Sequence, residues 1–238
     1  MHNEIRKVTL AAGAILALAV SQAHASEITL PLGGLHTGAD ILNYFNGGSD
    51  SVANDGTGPN LGITFSSNAS VQKGGTNAAT GAGKFENNPS GQSEILYYSF
   101  ATPATANAMN FAGGFTGVSF NYSLAGNSAA YDSTVDIWSG LNGTGTLLDT
   151  LSLTAAANTI GCTGHGDSYC TWSLATSAGT NFGTAESVTF GANSTAAFTE
   201  FDGVTLNTSP VPLPAAGWLL MSGLAGLGGL ARRRRAAA

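Results

Sequence analysis

Positive charge is what the middle of this chain lacks. Of its eight basic residues, Arg6 and Lys7 lie at the start and Arg232, Arg233, Arg234 and Arg235 at the end, leaving only Lys73 and Lys84 between them. Of the fourteen acids only Glu4 precedes residue 26, so the stretch from 26 to 210 carries two minus thirteen, a charge of −11. Such a domain has no electrostatic hold on phosphate backbones or anionic lipid, which excludes nucleic acid as a partner. Catalytic chemistry is scarce as well. Outside the leader the histidines are His36 and His165, and neither sits in a diagnostic hydrolase motif. The acids Asp132, Asp136, Glu200 and Asp202 are available for glycoside hydrolysis, but nothing in their spacing pairs an acid with a base. The reading is therefore of a protein that is not an enzyme, with a polysaccharide hydrolase or lyase as the third alternative.

Long apolar runs are confined to the two ends. Arg6 and Lys7 precede an apolar stretch from Val8 to Val20, and Ala23 and Ala25 place small residues at minus three and minus one. This pattern predicts a secretory signal peptide over 1–25, cut by signal peptidase before Ser26. At the other end an apolar run from Ala215 to Ala231 follows Val211, Pro212, Leu213 and Pro214, and four arginines close it. About 17 residues at roughly 1.5 Å each give about 25 Å, enough to just span a hydrocarbon core. Trp218 marks one interface, and the arginines favour the cytoplasmic side. The sequence thus predicts an exported protein anchored in the inner membrane, its ectodomain in the periplasm and open to later release to the cell surface or matrix.

What fills the middle is glycine, with 33 in the chain, about twice the usual frequency, together with Asn, Ser and Thr. Short apolar bursts alternate at period two. Val118, Phe120, Tyr122 and Leu124 are separated by Ser119, Asn121 and Ser123, which puts one set on one face of a strand. Val135 and Ile137 lead through Trp138 into Asn142-Gly143-Thr144-Gly145, and Leu147 to Leu153 resumes the pattern, a hairpin signature. Further strands are expected at Ile28 to Leu32, Ile41 to Phe45, Leu61 to Phe65, Ile95 to Phe100, Ala108 to Phe111, Ser187 to Gly191 and Phe198 to Leu206. With no amphipathic helix between them, these predict an all-β antiparallel sandwich of jelly-roll type over 26–209, with a signal helix before it and a transmembrane helix after it. A parallel β-helix is the alternative, although no fixed repeat period supports it.

The tail closely resembles the PEP-CTERM sorting signal of Gram-negative bacteria, carried by Pro212-Leu213-Pro214, Ala215-Ala216-Gly217-Trp218-Leu219-Leu220, Ser222-Gly223-Leu224 and the arginine block. Leu213 stands where that family usually has glutamate. The resemblance covers 210–235 and implies processing by exosortase, a membrane transpeptidase; the same tail is also catalogued under an ice-binding label. The ectodomain is similar to one recurrent group of PEP-CTERM proteins through Gly58 to Phe65, Asn110 to Phe120, Val135 to Gly145 and Phe201 to Leu206. That similarity implies an exported β-rich domain and supplies no catalytic residues.

Three candidate sites remain. Cys162 and Cys170, with seven residues between them in an exported chain, predict an intramolecular disulfide. Metal binding by Cys162, His165, Asp167 and Cys170 is the weaker alternative, because the spacing fits no zinc pattern. Calcium is the one expected cofactor, with Asp50 and Asp55 in one loop and Asp202 before the last strand as ligands, against the plainer role of aspartate in turns. Tyr97, Tyr98, Tyr131, Trp138 and Trp172 are the rings that would stack on a sugar. The expectation is a structural or interaction protein of the cell envelope or exopolysaccharide matrix, with a calcium-stabilised carbohydrate-binding module as the alternative.

Overall fold

The computed structural model describes residues 26–52, 54–74, 85–92, 94–98, 107–124, 133–154, 170–177, 182–191 and 199–208, with the backbone alone for Glu94, Tyr97 and Tyr98. The expected signal helix and transmembrane helix lie outside the described residues. Among those described, no helix is long and apolar enough to cross a membrane. Ala25–Pro210 forms one compact unit, and its described residues are all-β.

The described residues form ten strands in chain order: β1 (Ser26–Thr29), β2 (Ile63–Phe65), β3 (Ala69–Lys73), β4 (Glu94–Tyr98), β5 (Ala108–Leu124), β6 (Ser133–Gly140), β7 (Thr144–Leu153), β8 (Ser173–Thr176), β9 (Ala185–Phe190) and β10 (Thr199–Thr208). They form a single sheet in the order β3-β4-β10-β5-β9-β6-β7, with β1 added to β10 and both β2 and β8 added to β5. Every ladder between these strands is antiparallel. That pattern is incompatible with the parallel ladder of a β-helix, so the alternative fold is set aside for the described residues.

The 17-residue β5 organises the sheet. Its first part pairs with β2 and β9, and its second part with β10 and β8. The ladder to β9 slips between Asn110 and Phe115, where Gly113 and Gly114 fall. Gly114 has φ 75°, and a Cβ there would run into Thr184 Cγ2, so only glycine fits this bend. The sequence shows the two halves as separate strands, and the glycine pair that separates them is what lets one strand do both jobs.

The alternation places the core as expected. Val118, Phe120, Tyr122 and Leu124 are buried, as are Val135, Ile137, Val188, Phe190, Phe201 and Leu206. Phe120, Phe190 and Phe201 meet with ring centroids 4.6 to 5.9 Å apart, a contact between β5, β9 and β10. Fully burying such a ring is worth about 1.5–3 kcal/mol, so this cluster stabilises both parts of β5 at once.

One expected strand is corrected, and two features go unannounced by the sequence. Ile41 to Phe45 is not a strand but a run of turns, with Leu42 at φ 49° and bonds from Tyr44 N to Ile41 O and from Asn46 N to Asn43 O. Ile41 and Phe45 are buried, so the apolar signal there marks the core and not a ladder. Strands β3 and β8 carry too few large apolar residues to announce themselves, since Ala69 and Val71 face the core from β3 and Leu174 of β8 is exposed. A second, smaller cluster of Phe85, Ile95 and Trp172 lies apart from the main core, and the sequence gives no hint of it.

Candidate functional site

The calcium candidates of the 36–60 loop are drawn to one another and to His36. The His36 amide donates to Asp55 Oδ2 at 2.8 Å, and the ring Nδ1 contacts Asp55 Oδ1. The Asp55 side chain is fully enclosed, whereas the imidazole is 64% exposed. Asp50 is buried and accepts from Val52 N at 3.0 Å, an aspartate turn. Burial first, and then the neighbouring Asp55, raise the Asp50 pKa above the ordinary aspartate value. For Asp55 burial also pushes upward, but hydrogen bonds from Asp50, the His36 amide and the His36 ring, together with the His36 charge, leave it lowered. Among the described residues Asp50 Oδ2 has no hydrogen-bond partner. Asp50 thus closes its own turn, while Asp55 staples residue 36 to residue 55.

Asp202, the third calcium candidate, is elsewhere and fully occupied. It lies on β10 with no exposed surface, and its Oδ1 accepts from Asn88 Nδ2 at 3.2 Å and from Ser90 Oγ, while Oδ2 accepts from Ser90 N at 2.7 Å. It thereby holds the segment Phe85–Gln92 against the sheet. Trp172 completes that cover by donating from Nε1 to Glu86 O at 2.9 Å and packing on Phe85. Two residues before Asp202, Glu200 is also buried, and burial raises its pKa well above the ordinary value. Among the described residues its Oε2 has no hydrogen-bond partner, and neither does the Oγ of Ser123, the residue directly opposite it on β5. Of the four acids available for glycoside hydrolysis, Glu200 and Asp202 are therefore closed off from solvent. Among the described residues, no group of three or more His, Cys, Asp or Glu side chains is arranged to hold a metal ion.

The other open feature is the β6–β7 hairpin. Asn142 and Gly143 both take left-handed backbone, φ 56° and 67°, the turn that Asn-Gly favours. Asn110 of β5 clasps the tip: its Oδ1 accepts from Asn142 N at 2.7 Å and its Nδ2 donates to Asn142 Oδ1 at 2.9 Å. Gly143 N adds a bond to Ser187 Oγ at 3.0 Å. On the side of β6 away from the core stand Thr134, Asp136 and Trp138, all half-buried. Trp138 donates from Nε1 to Thr189 Oγ1 at 3.0 Å, which fixes the ring across β9. Beside it Thr150 Oγ1 donates to Asp136 Oδ1 at 2.8 Å, and Leu147, opposite Trp138, is 47% exposed. The Asn-Gly turn is legible in the sequence. The Asn110 clasp is not, because it joins residues 32 apart whose types signal only polarity.

Of the remaining expected site residues, Cys170 is disulfide-bonded, and the chain has one other cysteine, Cys162. Cys162, His165 and Asp167 themselves, with Tyr131 and Asp132, lie outside the described residues. So do Ala23, Ala25, the sorting motif Val211 to Pro214 and Arg232 to Arg235, whereas Ser26 opens β1. Tyr97 of β4 pairs with Glu200, and Tyr98 with Ala69. Comparison with known proteins finds no matching family model, no matching curated protein and no matching solved structure.

Proposed function

We propose that the chain is an exported, membrane-addressed structural or interaction protein of the cell envelope or exopolysaccharide matrix. Its first 25 residues direct export, and a PEP-CTERM-like signal at 210–235 addresses it to the inner membrane and an exosortase-type enzyme. The observation that carries this reading is where the sheet closes. Ser26, the residue after the expected signal-peptidase cut, pairs with Thr208 of β10, close to the expected sorting signal. Thr208 Oγ1 donates to Ser26 O at 2.9 Å across that pair. This pairing supports an ectodomain whose two ends meet in one sheet. The disulfide at Cys170 suits the oxidising envelope.

The sheet is read as folding back on itself into a jelly-roll-like sandwich. Phe190 N bonds Asn107 O beside the start of β5, yet its ring lies 5.9 Å from that of Phe120, thirteen residues further along the chain. A straight strand would separate those positions by about 43 Å at roughly 3.3 Å per residue, so β5 turns back at its glycine pair.

Carbohydrate binding is the second reading, favoured by Trp138, a half-buried ring fixed by its own hydrogen bond on the side of β6 away from the core. Calcium would support that module only through residues other than Asp202, whose oxygens are engaged. The test of the first reading is a chain lacking Arg232 to Arg235, followed by membrane fractionation and protease accessibility. The expected outcome is loss of the protein from the inner-membrane fraction or a reversed topology. Unchanged fractionation and topology would sink the membrane address.

A further inference from the structure

We infer that the side of the β6–β7 hairpin away from the core is a binding site for a neutral polysaccharide, with Trp138 as its stacking platform. The inference rests on the carbohydrate reading above and assigns that reading a place. Three observations carry it. The Trp138 ring is held at one orientation by its bond to Thr189 Oγ1, so docking a sugar ring costs it no rotamer freedom. The hairpin beneath it is rigid, since Asn110 and Ser187 pin the turn from β5 and β9 and Ser139 Oγ accepts from Thr146 N at 2.8 Å. The surroundings have the right chemistry: an apolar flank in Leu147 and a carboxylate and hydroxyl in Asp136 and Thr150, which can exchange hydrogen bonds with sugar hydroxyls.

Charge fixes the class of ligand. The domain carries −11, and Asp136 and Asp149 stand on this hairpin without a basic neighbour in its sequence, so an anionic polymer is repelled. Trp172 is the internal contrast: its Nε1 is bound to a main-chain carbonyl and its ring packs on Phe85, which gives it a structural role.

The test is native affinity electrophoresis of the full chain in mild detergent through gels containing hydroxyethylcellulose, locust-bean mannan or dextran, with polygalacturonate as the anionic control. The expected result is retardation by at least one neutral polymer, weakened at least tenfold in Trp138→Ala and about threefold in Trp138→Phe, with Trp172→Phe unchanged. If Trp138→Ala fails to fold, Trp138→Phe carries the comparison. Retardation by no neutral polymer, equal loss in the Trp172 variant, or a preference for polygalacturonate would overturn the inference. Binding that survives both Trp138 variants would overturn this placement and leave the carbohydrate reading standing, and no outcome here bears on export.

Discussion

Two stretches of this sheet, both on the side away from the core, are built from similar residues and finished differently. Over β4, β10 and β5, the segment Phe85–Gln92 and Trp172 close down on Asp202 and Ile95. Over β6 and β7, Asp136, Trp138 and Thr150 keep contact with solvent. Each stretch has an aspartate accepting hydrogen bonds and a tryptophan donating one. The difference is what lies above them. A carboxylate under a cover becomes a structural acceptor, and a carboxylate at the surface stays available to a partner.

The largest effect should separate the two aspartates. Asp202→Ala leaves the donors at Asn88 and Ser90 without their charged acceptor in a buried layer, which is expected to cost about 3 kcal/mol. Asp136→Ala removes one exposed bond from Thr150 and should cost under about 1 kcal/mol. Urea unfolding of both variants measures the contrast, and equal losses would mean that the cover contributes nothing.

A smaller effect sharpens the same point through pH. Because burial raises the pKa of Glu200, the folded state binds its proton more tightly than the unfolded state does. Its contribution to stability is therefore fully present below the ordinary glutamate value of 4.5 and is lost as pH rises toward the raised one. Glu200→Gln should be more stable than the parent at neutral pH, with the advantage shrinking as pH falls from the raised pKa toward 4.5. A difference that is flat from pH 4 to pH 8 would show that Glu200 is not shielded.

How far the sequence foretold this depends on what each residue type encodes. Period-two runs such as Val118 to Leu124 are buried on one face, and Asn142-Gly143 makes the turn its dihedrals favour. Ile41 to Phe45 misleads because apolar residues signal burial without specifying backbone, and Leu42 takes a positive φ that its side chain gives no warning of. The surroundings of Asp50, Asp55 and Asp202 were equally hidden. Composition marks acids in loops, but whether one of them closes a local turn, as Asp50 does, or anchors a segment 114 residues away, as Asp202 does at Asn88, depends on contacts that residue type does not encode. The small cluster of Phe85, Ile95 and Trp172 is hidden for the same reason, each member standing alone among polar neighbours.

The export account has its most direct test in the intact mass of the protein recovered from the cell envelope. A chain that begins at Ser26 and is lighter by two hydrogens than its reduced form, as Cys162 paired with Cys170 requires, is the predicted result. A chain that still begins at Met1 with two reduced thiols would contradict it.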